Sequence, residues 1–354
     1  MKENEDYFFD REREQEELTS ILSARPSLIY FVYGPINSGK TSLLVRVLKS
    51  LPPDTVPFYI NLRGRDVSST GDFLNCLFKV DKKSSFDNIK EYLRDLSRGG
   101  TEAFAKLTGI PIPRQIFDPI FKERDKGDDA FAYLEDFLGE LVEGGQKPVF
   151  VLDEIQVIKE LANASGRPLL DKLLNFLVRM TKETHLCHCL VATSDSLFVE
   201  EIHGSARLEG RSQYFKVDDL NEDLSLQVYD KFGFQDKELV WDYIGGKFGD
   251  MVMLQAWLNR GYGFKESLDK MLQGEVSRLR VIEAQIEDSE STGQKWASEL
   301  LRRFKEKDTV SFDPNEMMDE AHFWVNHNVL FLDLPTGLLC PQGRLVQKAI
   351  GELH

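Results

Sequence analysis

Cysteine is scarce in this sequence: Cys76, Cys187, Cys189 and Cys340 are four residues scattered through 354. An extracellular fold stapled by disulfides has little use for so sparse a set, and the four read as reduced thiols. Long apolar runs are missing too. Nothing reaches the ~18 uninterrupted apolar residues of a membrane-spanning helix, and the charged opening MKENEDYFFDRERE lacks the apolar core of a secretory signal. These absences predict a cytoplasmic protein with no membrane contact. Positive charge is in deficit: 44 Lys and Arg stand against 59 Asp and Glu, a net of −15. That balance opposes sequence-independent attraction to nucleic-acid phosphates. No tandem repeat or low-complexity tract is evident. What remains is 42% hydrophobic and 29% charged, the mixture of a soluble globular chain, long enough for two or three domains.

Periodicity supplies the organisation. Residues 10–22 place Leu18, Ile21 and Leu22 on one face of a charged helix that Asp10 can cap. Residues 27–33, SLIYFVY, form a β-branched and aromatic run between Pro26 and Gly34 and read as a buried strand. Further strands are expected at 56–62, 148–153, 186–193 and 213–217, with helices at 40–51 and 128–143. Five buried strands alternating with helices predict a parallel α/β sheet over residues 1–220. The stretch 63–126 is longer than one crossover needs and reads as an insertion. It has helical segments at 72–77 and 86–96 and an irregular GIPIP at 109–113, where prolines block helix. Residues 221–273 read as a small helical unit. Residues 274–354 give helices at 274–286, 294–305 and 314–327, a hairpin of 329–332 with 338–340, and a last helix at 344–353, the pattern of a winged-helix domain.

The chemistry concentrates at Gly34-Pro35-Ile36-Asn37-Ser38-Gly39-Lys40-Thr41, which fits G-x-x-x-x-G-K-[ST] between an expected strand and an expected helix. Glycines let such a loop wrap closely, backbone N–H groups and the positive helix end face the β-phosphate, and Lys40 spans the β- and γ-phosphates. Thr41 offers a hydroxyl to Mg²⁺. These eight residues and the following Ser42 are the expected binding site for ATP or ADP. Four apolar residues, Val149 to Leu152, bury the strand that ends in Asp153 and Glu154. Its carboxylates should emerge where parallel sheets bind ligands. Asp153 is expected to hold the metal with Thr41, and Glu154 to orient or deprotonate the attacking water.

With these elements in place, the chain resembles the archaeal ATPase family of STAND-type P-loop NTPases, relatives of the AAA+ proteins. Phe8-Phe9-Asp10-Arg11-Glu12 is similar to the family's F-x-x-R-E opening, which implies that Phe9 and Arg11 lie near the adenine. GPINSGKT and VFVLDE match its Walker A and Walker B elements. The segment Val191 to Asp195 falls where the family has a strand ending in a small polar residue, implying a γ-phosphate or water contact from Ser194, with Thr193 as the rival. Gly210-Arg211 resembles the family's G-R pair, whose arginine acts in cis or from a neighbour. Ile244-Gly245-Gly246-Lys247-Phe248-Gly249 resembles its G-G-x-P lid motif, with Phe248 where proline is expected. The fold this implies is a P-loop NTPase sheet, a helical lid and a winged helix.

A zinc site at His185, Cys187 and Cys189 is disfavoured, because side chains two apart on one strand face poorly surround a tetrahedral ion. Phe323, Trp324 and Phe331 read as C-terminal core, with His322 and His327 at the surface or a helix end. Residues 276–354 hold nine Lys and Arg against thirteen Asp and Glu, a net of −4, the wrong sign for tracking phosphates. The expected activity is a slow, magnesium-dependent ATP hydrolase acting as a molecular switch toward a protein partner or another copy of itself. A DNA-acting AAA+ protein is the alternative, and a small-molecule kinase ranks last.

Overall fold

The computed structural model describes residues 11–81, 109–115, 117–118, 127–159, 168–287 and 297–353. Phe8, Phe9, Asp10 and the helix expected at 86–96 lie outside the described residues. The chain opens with helix α1 (Glu12–Ser23), strand β1 (Ile29–Tyr33), helix α2 (Lys40–Lys49) and strand β2 (Thr55–Asn61). Helix α3 (Thr70–Leu77) and strands β3 (Phe78–Asp81) and β4 (Ile110–Pro113) follow. Helix α4 (Gly127–Glu143) feeds β5 (Lys147–Asp153), helix α5 (Pro168–Val178) feeds β6 (His188–Thr193), and helix α6 (Ser196–His203) precedes β7 (Ser212–Lys216).

The five long strands make one parallel sheet in the order β2-β5-β6-β1-β7. Each central strand is an apolar run because helices cover both faces: one face joins Phe31, Phe58, Phe150 and Val191 to α4 and α5, the other joins Val32, Val151 and Ala192 to α1 and α2. The order places β6 between the P-loop strand and the acidic strand, so residues at the end of β6 flank both. Register pairs Tyr33 with Thr193, Ala192 with Asp153, and Asp153 with Asn61. Gly34, Asp153 and Thr193 thereby share the C-terminal edge of the sheet, where such folds place their ligands.

GIPIP is not irregular. Residues 110–113 form β4, paired in parallel with β3. Prolines alternate with isoleucines there, so the missing N–H groups all fall on one edge and Ile110 and Ile112 keep theirs for pairing.

The helical unit comprises α7 (Glu222–Phe232), α8 (Lys237–Ile244), α9 (Phe248–Asn259) and the start of α10 (Phe264–Glu287). One continuous helix replaces the start expected at Gly274. Its first half packs Leu268 and Met271 against Tyr229, Val240 and Met251. Its second half packs Leu279 and Ile282 against Trp324 and Leu330. Gly274 sits at the handover, and a methyl group added there meets no atom within 4 Å. Gly274→Ala is therefore expected to stabilise the chain by about 0.5–1 kcal/mol, read as a higher midpoint in urea.

The C-terminal part adds α11 (Ala297–Arg302), strand β8 (Val310–Ser311), α12 (Pro314–Asn326), strands β9 (Leu330–Asp333) and β10 (Leu338–Pro341), and α13 (Arg344–Glu352). The three strands pair antiparallel in the order β8-β10-β9. Trp324 is fully buried in this core, whereas Phe331 leaves it to stack on Tyr33 at 6.3 Å. His322 lies 2.7 Å from Glu200 of α6, and His327 ends α12 with Nδ1 2.8 Å from the Phe323 carbonyl. Among the described residues no helix is long and apolar enough to cross a membrane.

Candidate functional site

Residues 34–41 leave β1 and enter α2 through a loop that glycine makes possible. Gly34 has φ 152°, and a Cβ there would lie 2.1 Å from the Val217 carbonyl oxygen. Gly39 caps α2 at φ 96° and Asn37 is also left-handed at φ 59°, a conformation asparagine tolerates better than most residues. Pro35 and Ser38 are buried within the loop, while Ser42, one turn on, is exposed. Arg11 is only 5% exposed and its Nη2 donates to the carbonyls of Ser38 (2.5 Å) and Asp218 (2.8 Å). It ties the P-loop to the segment after β7. In this structure Arg11 acts on the shape of the loop.

Lys40 folds back onto its own loop, donating from Nζ to the carbonyls of Gly34 (2.9 Å) and Pro35 (2.8 Å). Burial lowers its ammonium to about 8, against the opposing pull of Glu154 and Asp153. Lys247, from the helical unit, is a second buried cation at this loop. Its Nζ donates to the Ile36 carbonyl (2.9 Å) and pairs with Asp219 (3.1 Å). Helix α9 starts directly after Lys247, so Phe248 occupies the first helical position, where a proline is also accommodated. Phe248 retains the helix start and packs its ring 6.3 Å from Phe232.

Asp153 collects three donors. Its Oδ2 accepts from Thr41 Oγ1 (2.8 Å) and Tyr59 OH (2.5 Å), and its Oδ1 from the Glu154 N–H (3.0 Å). Burial first and Asp153 second push the Tyr59 phenol up, so it stays a donor. Glu154 is 7% exposed and has φ 62°, a left-handed setting that costs about 1–3 kcal/mol for a non-glycine residue and is concentrated at functional sites. Its two oxygens accept from Arg63 Nη2 and from Gln156 Nε2 (2.5 Å). Thr193 Oγ1 donates to Gln156 Oε1 (2.9 Å), while Ser194 lines a cavity of about 260 Å³ with Ile36, Arg63, Glu154 and Gln342. The structure thus gathers Lys40, Thr41, Asp153, Glu154 and Ser194 at one edge. Tyr59, Arg63, Gln156, Lys247 and Gln342 join them without having been singled out in the sequence. Of these, Gln156 had a signal: an amide two residues beyond an Asp-Glu pair.

Arg211 is elsewhere. Its carbonyl accepts from Ile29 N (3.0 Å), at the start of β1. Five residues at about 3.3 Å each separate it from Gly34, farther than an arginine side chain extends. Its guanidinium donates instead to the Arg207 carbonyl (3.1 Å). A larger cavity of about 450 Å³ opens at that far edge, lined by His203, Gly210 and Tyr214 and by none of the phosphate-loop residues. His185 and His188 are engaged by the carbonyls of Pro26 (2.5 Å) and Ala24 (3.0 Å), and the thiols of Cys187 and Cys189 are buried packing groups.

The C-terminal part closes on the same edge. Gln342, 3% exposed, accepts from the Ile36 N–H through Oε1 (3.0 Å) and donates through Nε2 to the Leu330 carbonyl (3.2 Å). Buried Asp333 accepts from Tyr33 OH (2.8 Å) and pairs with Lys216 (3.0 Å). Leu332 N donates to Ser196 Oγ (3.2 Å). Ile36 is gripped on both sides, its N–H by the C-terminal part and its C=O by the helical unit.

Two family models match the chain, one over its first part and one over its last. The family described as an ATPase domain predominantly from Archaea matches residues 8–254, and a C-terminal domain of MJ1010-like uncharacterized ATP-binding proteins matches residues 265–353. An uncharacterized ATP-binding protein of Pyrococcus abyssi is 41% identical over 97% of this chain and 96% of its own length. Another, of Methanocaldococcus jannaschii, is 37% identical over 98% and 99%. Among solved structures, the Walker-type ATPase PABY2304 of Pyrococcus abyssi superposes with a TM-score of 0.63 at 13% identity, covering 98% of this chain and 97% of that one. At that identity the likeness is one of fold.

Proposed function

We propose that this chain, which belongs to the family of ATPase domains found predominantly in Archaea, binds and slowly hydrolyses ATP with magnesium and works as a nucleotide-driven switch. The observation that carries the switch is the double grip on Ile36, because a donor of the phosphate loop is already occupied by Gln342 of the C-terminal part. A nucleotide that recruits the Ile36 N–H must displace Gln342, and its affinity for the open and docked arrangements then differs. Residues 1–220 would be the ATPase unit, 221–273 a lid and 274–354 a winged helix, a reading supported by the parallel sheet, the helices that follow it and the three antiparallel strands of the last part.

The metal fits the donors present. Thr41 Oγ1 and Asp153 Oδ2 already meet at 2.8 Å, and a hydroxyl with a carboxylate is a hard-oxygen pair of the kind magnesium takes together with phosphate oxygens. Bound there, the ion would neutralise charge on the β- and γ-phosphates. Tyr59 fixes the Asp153 carboxylate, and Glu154 orients water. Arg211, whose guanidinium lies away from its own loop, would act in trans on a neighbouring copy.

Two measurements test the switch. Solution scattering of the parent chain should differ between nucleotide-free and ATP-analogue states; superimposable curves would sink the proposal. Gln342→Ala frees the Ile36 N–H and is expected to tighten ATP-analogue binding by roughly 3- to 10-fold, as measured by calorimetry.

A further inference from the structure

We infer that Gln156 is a positioning residue for ATP hydrolysis, holding the Glu154 carboxylate through a hydrogen-bond relay that begins at Thr193; this rests on the reading of Glu154 given above. The polarity of the relay is fixed by its carboxylate end, and the Thr193 end is consistent with it. Asp195 N–H is a backbone donor, and Thr193 Oγ1 accepts from it at 3.0 Å. The hydroxyl's single proton then goes to Gln156 Oε1 at 2.9 Å. At the other end Glu154 Oε2 is an acceptor, and Gln156 Nε2 meets it at 2.5 Å. Only one orientation of the Gln156 amide satisfies both partners.

The anchor of the relay is rigid. Thr193 is 1% exposed at the end of β6, paired with Tyr33 of the P-loop strand, and the preceding Ala192 pairs with Asp153. Glu154, by contrast, has already left the sheet and sits in a left-handed turn with Arg63 on its other oxygen. Arg63 is two-thirds exposed, at 65%, and is a loose tether. Gln156 therefore transmits the position of the strand beside the P-loop to the carboxylate that must face the water. The residue also lines the cavity between Ile36, Glu154 and Gln342, so the carboxylate it holds is at the wall of the space a γ-phosphate would enter.

Four single variants and one double variant test the relay, with turnover and ATP-analogue affinity measured on each. Gln156→Ala and Gln156→Glu, the second of which keeps size but loses the donor, should each lower kcat about 10- to 100-fold and leave the analogue Kd within about 3-fold of the parent. Thr193→Val should do the same, and Thr193→Ser, which keeps the hydroxyl, should restore most of the lost rate. Because one relay is broken in each case, Gln156→Ala combined with Thr193→Val should be no worse than either alone. Glu154→Gln serves as the reference. Parent-like turnover in Gln156→Ala beside an inactive Glu154→Gln overturns the relay alone. Parent-like turnover in Glu154→Gln, or a parent that does not hydrolyse ATP, overturns the reading of Glu154 and the relay with it. Losses that multiply in the double variant, or that appear equally in Kd, also overturn it.

Discussion

Glu154→Gln is expected to leave ATP bound and to lower turnover by about 10²- to 10⁴-fold, the range of a positioned general base. Glutamine matches glutamate in size, and the phosphate-facing groups, Lys40 and the loop N–H donors, are untouched. What changes is the charge and one acceptor. Both Glu154 oxygens accept hydrogen bonds, from Arg63 and from Gln156, whereas an amide can accept at only one of the two positions. One donor is therefore displaced, a local cost of about 1–3 kcal/mol, while the base proposed to act on water is lost outright. Calorimetry for ATP and a phosphate-release assay separate the two effects. Undiminished phosphate release would assign water activation to another group, and ATP binding lost in parallel would mean that Glu154 shapes the pocket.

The parts of this site visible in the sequence share one property: their neighbours in the chain create their setting. Gly34 to Thr41 are consecutive, and the buried run before them gives the strand that aims the loop. Asp153 and Glu154 end an apolar strand in the same way. The five strands were legible to within two residues at each end because central parallel strands are apolar on both faces. Strand β4 was hidden because alternating prolines mimic a coil, and only its partner β3 reveals the edge they leave free. Helix α10 was read as starting late because Gly274 looks like a stop. Burial of Leu268, Met271 and Leu279 on either side outweighs a propensity cost of about 1 kcal/mol.

Contacts made across long separations left no local trace. Tyr59 reaches Asp153 because Asn61 and Asp153 are in register, and Gln342 reaches Ile36 across 306 positions. Thr193 and Ser194 are adjacent, but the strand ends at Thr193 and the two meet different surroundings: Gln156 for one, the open cavity for the other. The placement of Arg211 depends on the same logic, since strand direction alone decides that the residue before β7 lies at the sheet's far edge.

Lys40→Met should weaken ATP binding and make the nucleotide-free chain more stable. Lys40 is 6% exposed and its ammonium sits on two loop carbonyls, an arrangement kept ready for phosphates. Replacing it removes charge-assisted hydrogen bonds to the nucleotide, an expected loss of roughly 10- to 100-fold in affinity. The stability gain follows from the lowered value of about 8. The unfolded chain holds this proton more tightly than the folded one, so the penalty is complete below pH 8 and is relieved as pH climbs toward the ordinary lysine value. The depression corresponds to about 3 kcal/mol at neutral pH, from which the two carbonyls left without their donor subtract a part. Methionine retains most of the stem's packing. Urea denaturation at pH 7 and pH 10 should therefore show a raised midpoint for the variant at the lower pH and a smaller difference at the higher. A variant less stable than the parent at pH 7 would mean that the carbonyl contacts outweigh the buried charge, and that Lys40 holds the empty loop in shape as well as waiting for its ligand.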